Sequence, residues 1–202
     1  MRFKSVIVNS RPNQVAISMD DVEHIKRFLQ GDANALCVLV DAYRKPLFSF
    51  IAQSVGNNDA DEIFQEVWIK AIRALPRYRH KNRFPSWLFK IAHRIIIDRS
   101  RKRKLVLSSD IEAGLPANPE TAIHSTAYHD LSDQELGQQI RSAVSTLPQT
   151  QREVFLLRMD GNLSFKEIAT IQGTSINTAL ARMTYAVEKL QEQLSAVYKE
   201  LA

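Results

Sequence analysis

The chain has 202 residues, 45% of them hydrophobic and 24% charged, a formal net charge of +5 and one cysteine. That is apolar material for one compact domain or two small ones, which excludes a chain without a core, and a lone cysteine excludes an internal disulfide framework. Apolar runs fall short of the roughly 18 residues of a membrane span, and Val6 to Val8 is too short a run for a secretory signal, so the expectation is a cytoplasmic protein without membrane insertion.

Residues 1–19 read as a disordered leader, and Met19, just before the first helical pattern, is a candidate start alongside Met1. From 20 to 104 the pattern is helical almost throughout. A first helix over 20–30 stops near Gly31. A second over 33–55 carries Leu36, Leu39, Val40, Tyr43, Leu47, Phe50 and Ile51 at three- and four-residue spacing, ends at a Gly-Asn-Asn turn, and holds Pro46, which predicts a kink. Cys37 sits in its apolar run ALCVLV and reads as a small core residue. The third, over 59–75, places Asp59, Asp61 and Glu62 where the helix macrodipole favours anions, and Pro76 closes it. Phe64, Trp68, Ala71, Ile72 and Leu75 form its expected buried stripe, with Gln65, Glu66, Ile69, Lys70 and Arg73 on or near the other side.

Residues 77–104 pack 11 Lys or Arg against one Asp, with Phe84, Trp87, Phe89 and four isoleucines threaded among them. A loop over 77–84 leads into a fourth helix starting around 85–87. At about 100° per residue, Trp87, Leu88, Ile91, Ala92, Ile95 and Ile96 share one face, while Lys90, Arg94 and Arg101 fall within about 40° of one another on the other. A cationic ridge implies an anionic partner, a polyphosphate chain above all. Melted DNA offers phosphates to cations and unstacked base faces to aromatic rings, and a flipped base also needs a pocket. Arg79, Lys81, Arg83, Lys90, Arg94 and Arg101 are therefore the candidate phosphate contacts, and Tyr78, Phe84 and Trp87 the candidate stackers. Tyr78 and Phe84, in the loop, are better placed for bases than Trp87, which lies on the apolar face.

Residues 105–132 carry no Lys or Arg, four acids, and Gly114, Pro116 and Pro119, the composition of an acidic flexible linker between two domains. The helical period returns over 133–202. Pro148 opens one helix and Gly161 with Asn162 ends it; Ser164 and Glu167 make a capping box for the next; Gly173 breaks that one after about two turns, and Ser175 can cap the last, which turns Ala179, Met183, Ala186 and Leu190 inward. Two helices joined by a tight Gly-containing turn, behind a supporting third, form a helix-turn-helix pattern. Its last helix would present Asn177, Thr178, Ala181, Arg182 and Tyr185 to a major groove, with Lys166 on the preceding helix as a further candidate duplex contact. The same punctuation also fits a small packing module, since residues 141–194 hold six cations against five acids.

Taken together, DADEIFQEVWIKAIRAL, then FPSWLFKIAHRIIIDRSRKRK, a linker, then LPQTQREVFLLRMDGNLSFKEIATIQGTSINTALARMTYAVEKL resemble a bacterial extracytoplasmic-function (ECF) sigma factor, over residues 20 to about 194. The resemblance implies an all-α protein of two helical domains. The first (20–104) would bind the clamp of core RNA polymerase and melt the minus-ten element. The second (133–202) would meet the polymerase flap and read the minus-thirty-five element, and an anti-sigma factor is a possible further partner. On the matching positions, Asp61, Gln65, Glu66 and Ile69 would contact core polymerase, the loop 79–84 and the helix from Trp87 would grip the opened strand, and Thr178 and Arg182 would read duplex. Leu180 and Tyr185 stand where family members often carry basic residues, so apolar contact of Ala181 or Leu180 with thymine methyls is one substitute for guanine recognition.

Catalysis has little basis in the sequence. His24, His80, His93, His124 and His129 show no metal-ligand spacing with one another or with Cys37, and no phosphate loop or nucleophile elbow stands out, so neither an enzyme nor a cofactor is expected. The competing class is a free-standing regulator that binds duplex DNA through the helix-turn-helix, its first domain a dimerisation or sensing module. The basic, aromatic-rich helix separates the two, because a sensing domain has no need of it.

Overall fold

The computed structural model describes residues 19–79, 83–110 and 131–200; Lys81, the expected leader before Met19 and the stretch 111–130 lie outside them. Eight α-helices make up the described chain: α1 (Met19–Leu29), α2 (Ala33–Val55), α3 (Asn57–Ala74), α4 (Phe84–Asp110), α5 (Leu131–Ser145), α6 (Gln149–Met159), α7 (Phe165–Gln172) and α8 (Ile176–Glu200), with one 3-10 turn at Leu75–Arg77. The fold is all-α, as expected. Two boundaries differ from the sequence reading: α4 continues to Asp110 and α5 begins at Leu131, so helix takes up both ends of the expected 105–132 linker.

Local chemistry sets the breaks. Gly31 adopts φ 104°, and Asp32 then caps α2 by accepting from the Asn34 amide at 3.0 Å. Helix α2 continues through Pro46 to Gly56, whose φ of 86° starts the turn into α3. Its inward line is Ala35, Leu39, Tyr43, Leu47, Phe50 and Ile51. Cys37 is exposed, which corrects its reading as core: it lies about 200° round the helix from Ala35, and its neighbour Val38 is exposed with it. In α3 the buried face is Ala60, Ile63, Val67, Trp68 and Ala71, rotated from the expected stripe so that Phe64 and Ile72 sit at its margin. Each large aliphatic or aromatic side chain buried in this way stabilises the fold by about 1.5–3 kcal/mol.

In the C-terminal half the expected punctuation is present. Ser164 and Glu167 form a reciprocal capping box on α7, Gly173 closes that helix at φ 64°, and Ser175 Oγ accepts from the Thr178 amide at 3.0 Å to open α8. Ala179, Met183, Ala186 and Leu190 are buried, and Val187 joins them. Helices α7 and α8 with the supporting α6 make the helix-turn-helix.

The two halves do not stand apart. Helix α6 packs on α2, and α7 on α4, so the buried side chains of both halves form one continuous cluster. Phe89 shows the effect. It lies outside the face that periodicity assigns to the core, yet is only 1% exposed, with the Phe50 ring 5.4 Å away and Gly161 of the α6–α7 turn against it.

Candidate nucleic-acid and polymerase interface

Two surfaces of the first half carry the sequence-predicted residues. On α3, Asp61, Gln65 and Ile69 are exposed, with Ile69 showing 48% of its surface. They follow one another at four-residue steps and so form a single row. Glu66 beside them is half-buried and held on two sides, by Lys70 at 2.8 Å and Arg99 of α4 at 3.1 Å. Arg99 also takes both oxygens of Glu62, at 3.1 and 2.7 Å. The Lys70 bond leads in holding the Glu66 carboxyl below its usual range, burial opposing it and Arg99 adding to it; Arg99 does the same for Glu62. Sequence reasoning missed Glu62 and Arg99 as a unit. The only signal was the four-residue spacing of Glu62 and Glu66, because their common partner comes from another helix.

The second surface is the start of α4. Tyr78, Phe84 and Trp87 are brought together: Tyr78 and Trp87 ring centres are 4.8 Å apart, Phe84 and Trp87 5.6 Å, and Tyr78 and Phe84 5.9 Å. Their exposure reverses the expected order. Phe84 is the first residue of α4, 3% exposed and edge-on to Tyr43 at 5.3 Å, whereas Trp87 and Tyr78 are half-buried. A ring so enclosed has no free face for a base, so Phe84 is the floor of the cluster and Trp87 with Tyr78 its accessible rings. Beneath them the Tyr43 hydroxyl donates to Asp21 at 2.7 Å. Burial first, and then the Asp21 charge, push the Tyr78 hydroxyl up to about 12.

Around this cluster the predicted cations divide. Arg79, Arg94 and Arg101 are exposed and Lys90 is half-buried, so the ridge on α4 exists as expected. Arg83 is half-buried and 3.7 Å from Glu167 of α7. In the second half Lys166, Asn177, Ala181 and Tyr185 are exposed, and Thr178 and Arg182 are half-buried. Arg182 donates to Gln172 Oε1 at 2.7 Å; Gln172 in turn donates to Glu153 at 3.0 Å. Ile176, Leu180 and Tyr185 expose 45%, 37% and 60% of their surfaces along the first turns of α8, an apolar rather than cationic surface.

Family models match on both halves: Sigma-70 region 2 over residues 39–106, and Sigma-70 region 4 over 137–190, together more than half of the chain. The chain belongs to the sigma-70 family, among its ECF sigma factors. Among similar proteins, the ECF RNA polymerase sigma factor SigW of Bacillus subtilis is 29% identical over 178 residues, spanning 85% of this chain and 95% of the relative. The ECF RNA polymerase sigma-E factor of Escherichia coli is 27% identical over 186 residues, spanning 87% and 94%. The fold is shared with the sigma factor RpoE of Bartonella quintana, solved with the anti-sigma factor NepR: TM-score 0.66, 23% identity, covering 79% of this sigma factor and 96% of that one. It is shared as well with CnrH, solved with the cytosolic domain of CnrY, at TM-score 0.62 and 21% identity, covering 88% and 98%.

This sigma factor therefore acts in transcription initiation, binding core RNA polymerase and promoter DNA. The exposed row on α3, the aromatic cluster with its cationic ridge, and the first turns of α8 all fall within the two matched regions. No helix among the described residues is long and apolar enough to cross a membrane.

Proposed function

We propose that the α3 row of Asp61, Gln65 and Ile69, with Glu66 braced behind it, docks on the clamp of core polymerase, and that Trp87 and Tyr78 take unstacked bases of the minus-ten strand while Arg79, Lys90, Arg94 and Arg101 take its phosphates. The observation that carries this reading is the accessible pair of rings together with the ridge of positive charge on the same helix. Stacking and phosphate contact are the two handles a melted strand offers. Arg83 belongs to the same set. Lys81, outside the described residues, keeps its assignment from the sequence alone.

In the second half, Arg182, Thr178, Asn177 and Lys166 face the minus-thirty-five duplex, with Leu180, Ala181 and Tyr185 in apolar contact with thymine methyls. The chain works in the cytoplasm, catalyses no reaction itself and needs no cofactor. An anti-sigma factor accompanies the sigma factor RpoE in the similar solved structure from Bartonella quintana, and a partner of that kind is proposed here too.

Run-off transcription with purified core polymerase on promoter fragments tests the reading as a whole. Initiation that depends on this chain, and is lost when Lys90, Arg94 and Arg101 are neutralised together, is expected. Bubble formation that survives the triple variant defeats the assignment of the ridge.

A further inference from the structure

A chain of hydrogen bonds runs through the helix-turn-helix and ends on the guanidinium of Arg182. It starts at Glu153 of α6, a carboxylate only 6% exposed. Gln149, one turn earlier, donates Nε2 to Oε1 of Glu153 at 3.3 Å, and Gln172, the last residue of α7, donates Nε2 to Oε2 at 3.0 Å. The same Gln172 nitrogen donates to the Thr150 carbonyl at 3.1 Å. Its amide oxygen accepts from Nη1 of Arg182, on the second turn of α8, at 2.7 Å. His93 Nε2 of α4 lies 3.4 Å from the same carboxylate; every other member of the chain belongs to the helix-turn-helix and its supporting helix.

Chemistry fixes the direction of this chain. Burial favours the neutral form of Glu153, but bonds to His93, Gln172 and Gln149 outweigh it and hold the carboxyl below its usual range, so it is ionised near neutral pH. An ionised carboxylate and a backbone carbonyl can only accept, so both N–H bonds of the Gln172 amide turn toward them and its oxygen is left facing α8. A reversed amide would set oxygen against oxygen at Glu153 and N–H against N–H at Arg182, leaving covered polar atoms without partners.

For Arg182 the consequence is a preset position. Its guanidinium is a rigid planar fork with five N–H donors, and Gln172 engages one nitrogen, so the bond orients the fork without consuming it. A long side chain that is first ordered on meeting its partner weakens binding by about two- to tenfold, a loss that one already held avoids. Between Ile176 and Glu188, Arg182 is the one Lys or Arg, so the placement of this single fork weighs heavily on what α8 can read.

We infer that Gln172, oriented by Glu153, is a positioning residue for promoter recognition, holding the Arg182 fork in the plane from which it meets a base edge of the minus-thirty-five duplex. The inference rests on the assignment of Arg182 to that duplex.

Holoenzyme assembled from the full chain and core polymerase is titrated by mobility shift on the specific minus-thirty-five duplex and on a scrambled one. Gln172→Met keeps the volume and removes the amide; Gln172→Asn keeps the amide and shortens its reach by one methylene. Each is expected to weaken specific binding about two- to tenfold and to leave scrambled binding unchanged. Neither is expected to add to the loss in an Arg182→Ala background, because the effect travels through that side chain. A role in packing alone gives equal losses on both duplexes and in both backgrounds, and that result overturns the inference, as does wild-type specific binding by both Gln172 variants. Full specific binding by Arg182→Ala overturns the duplex assignment of Arg182 instead.

Discussion

Trp87 and Tyr78 stack at the mouth of an aromatic cluster, ring centres 4.8 Å apart and planes inclined at 48°, with the Phe84 ring enclosed beneath both. Placement within one cluster separates binding from stability. Trp87→Ala is expected to weaken binding of the holoenzyme to a single-stranded minus-ten oligonucleotide by about 1–3 kcal/mol with a small change in Tm. Phe84→Ala is expected to cost about 3–5 kcal/mol of folding stability. Fluorescence titration and thermal melts on both variants check this, and a reversed pattern would return Phe84 to the strand.

Glu66 is braced by Lys70 and Arg99, whereas Asp61, Gln65 and Ile69 are exposed on the same helix. Glu66→Lys reverses a charge beside the proposed docking row and is expected to abolish retention on immobilised core polymerase. Arg99→Ala removes only the brace, so a partial loss is expected, with a small change in melting temperature because ion pairs partly open to solvent contribute little to stability. Equal retention of wild type and Glu66→Lys would move the docking surface elsewhere.

Arg182 of α8 is held by Gln172 at 2.7 Å, while Lys189 pairs with Glu192 at 3.3 Å a further two turns along. Arg182→Ala is expected to cost about 1–3 kcal/mol on the specific minus-thirty-five duplex and to relax its sequence preference. Lys189→Ala should produce a smaller loss, similar on specific and scrambled duplexes. Electrophoretic mobility shifts with holoenzyme on both DNAs decide; equal small losses for the two variants on both duplexes would remove Arg182 from the reading set.

Burial pushes the Asp160 carboxyl up to about 6 from an ordinary 3.8, against the pull of the Ser49 hydrogen bond. A raised value in the closed fold means that its stabilising contribution is complete below the ordinary value and disappears as pH rises through about 6. Glu153 works in another window. Burial favours its neutral form, but bonds to His93, Gln172 and Gln149 outweigh that and hold the carboxyl low, so its contribution is lost only in acid below the usual carboxylate range. His93 lies 3.4 Å from Glu153, so the measurement belongs in a His93→Gln background. Thermal stability there is expected to rise as pH falls from about 7.5 to about 5.5, and Asp160→Asn to flatten the profile. A slope unchanged in Asp160→Asn would exclude this carboxyl as its source.

Much of this was legible in the residues. Helix ends at Gly31, Gly56 and Gly173 follow from positive φ, and the Ser164–Glu167 box and the Ser175 cap follow from side-chain chemistry acting within a turn. The cationic ridge of Lys90, Arg94 and Arg101 is a consequence of spacing. Cys37 and Phe84 were misplaced for opposite reasons. An apolar run of six residues circles a whole helix, so one of its members must face water; and Phe84, at a helix start, is buried by Tyr43 from a distant helix.

Periodicity, caps and charge spacing act over one to four residues, and for that reason the order of residues alone determined the helices, the helix-turn-helix and the grouping of cations with aromatic rings. Packing between elements far apart in the chain decided the rest: which ring of the cluster stays open, that Arg99 ties Glu62 to Glu66, and that α6 and α7 close over Phe89 and His93. Those relations depend on how separate helix faces meet in space, and no local period encodes that meeting.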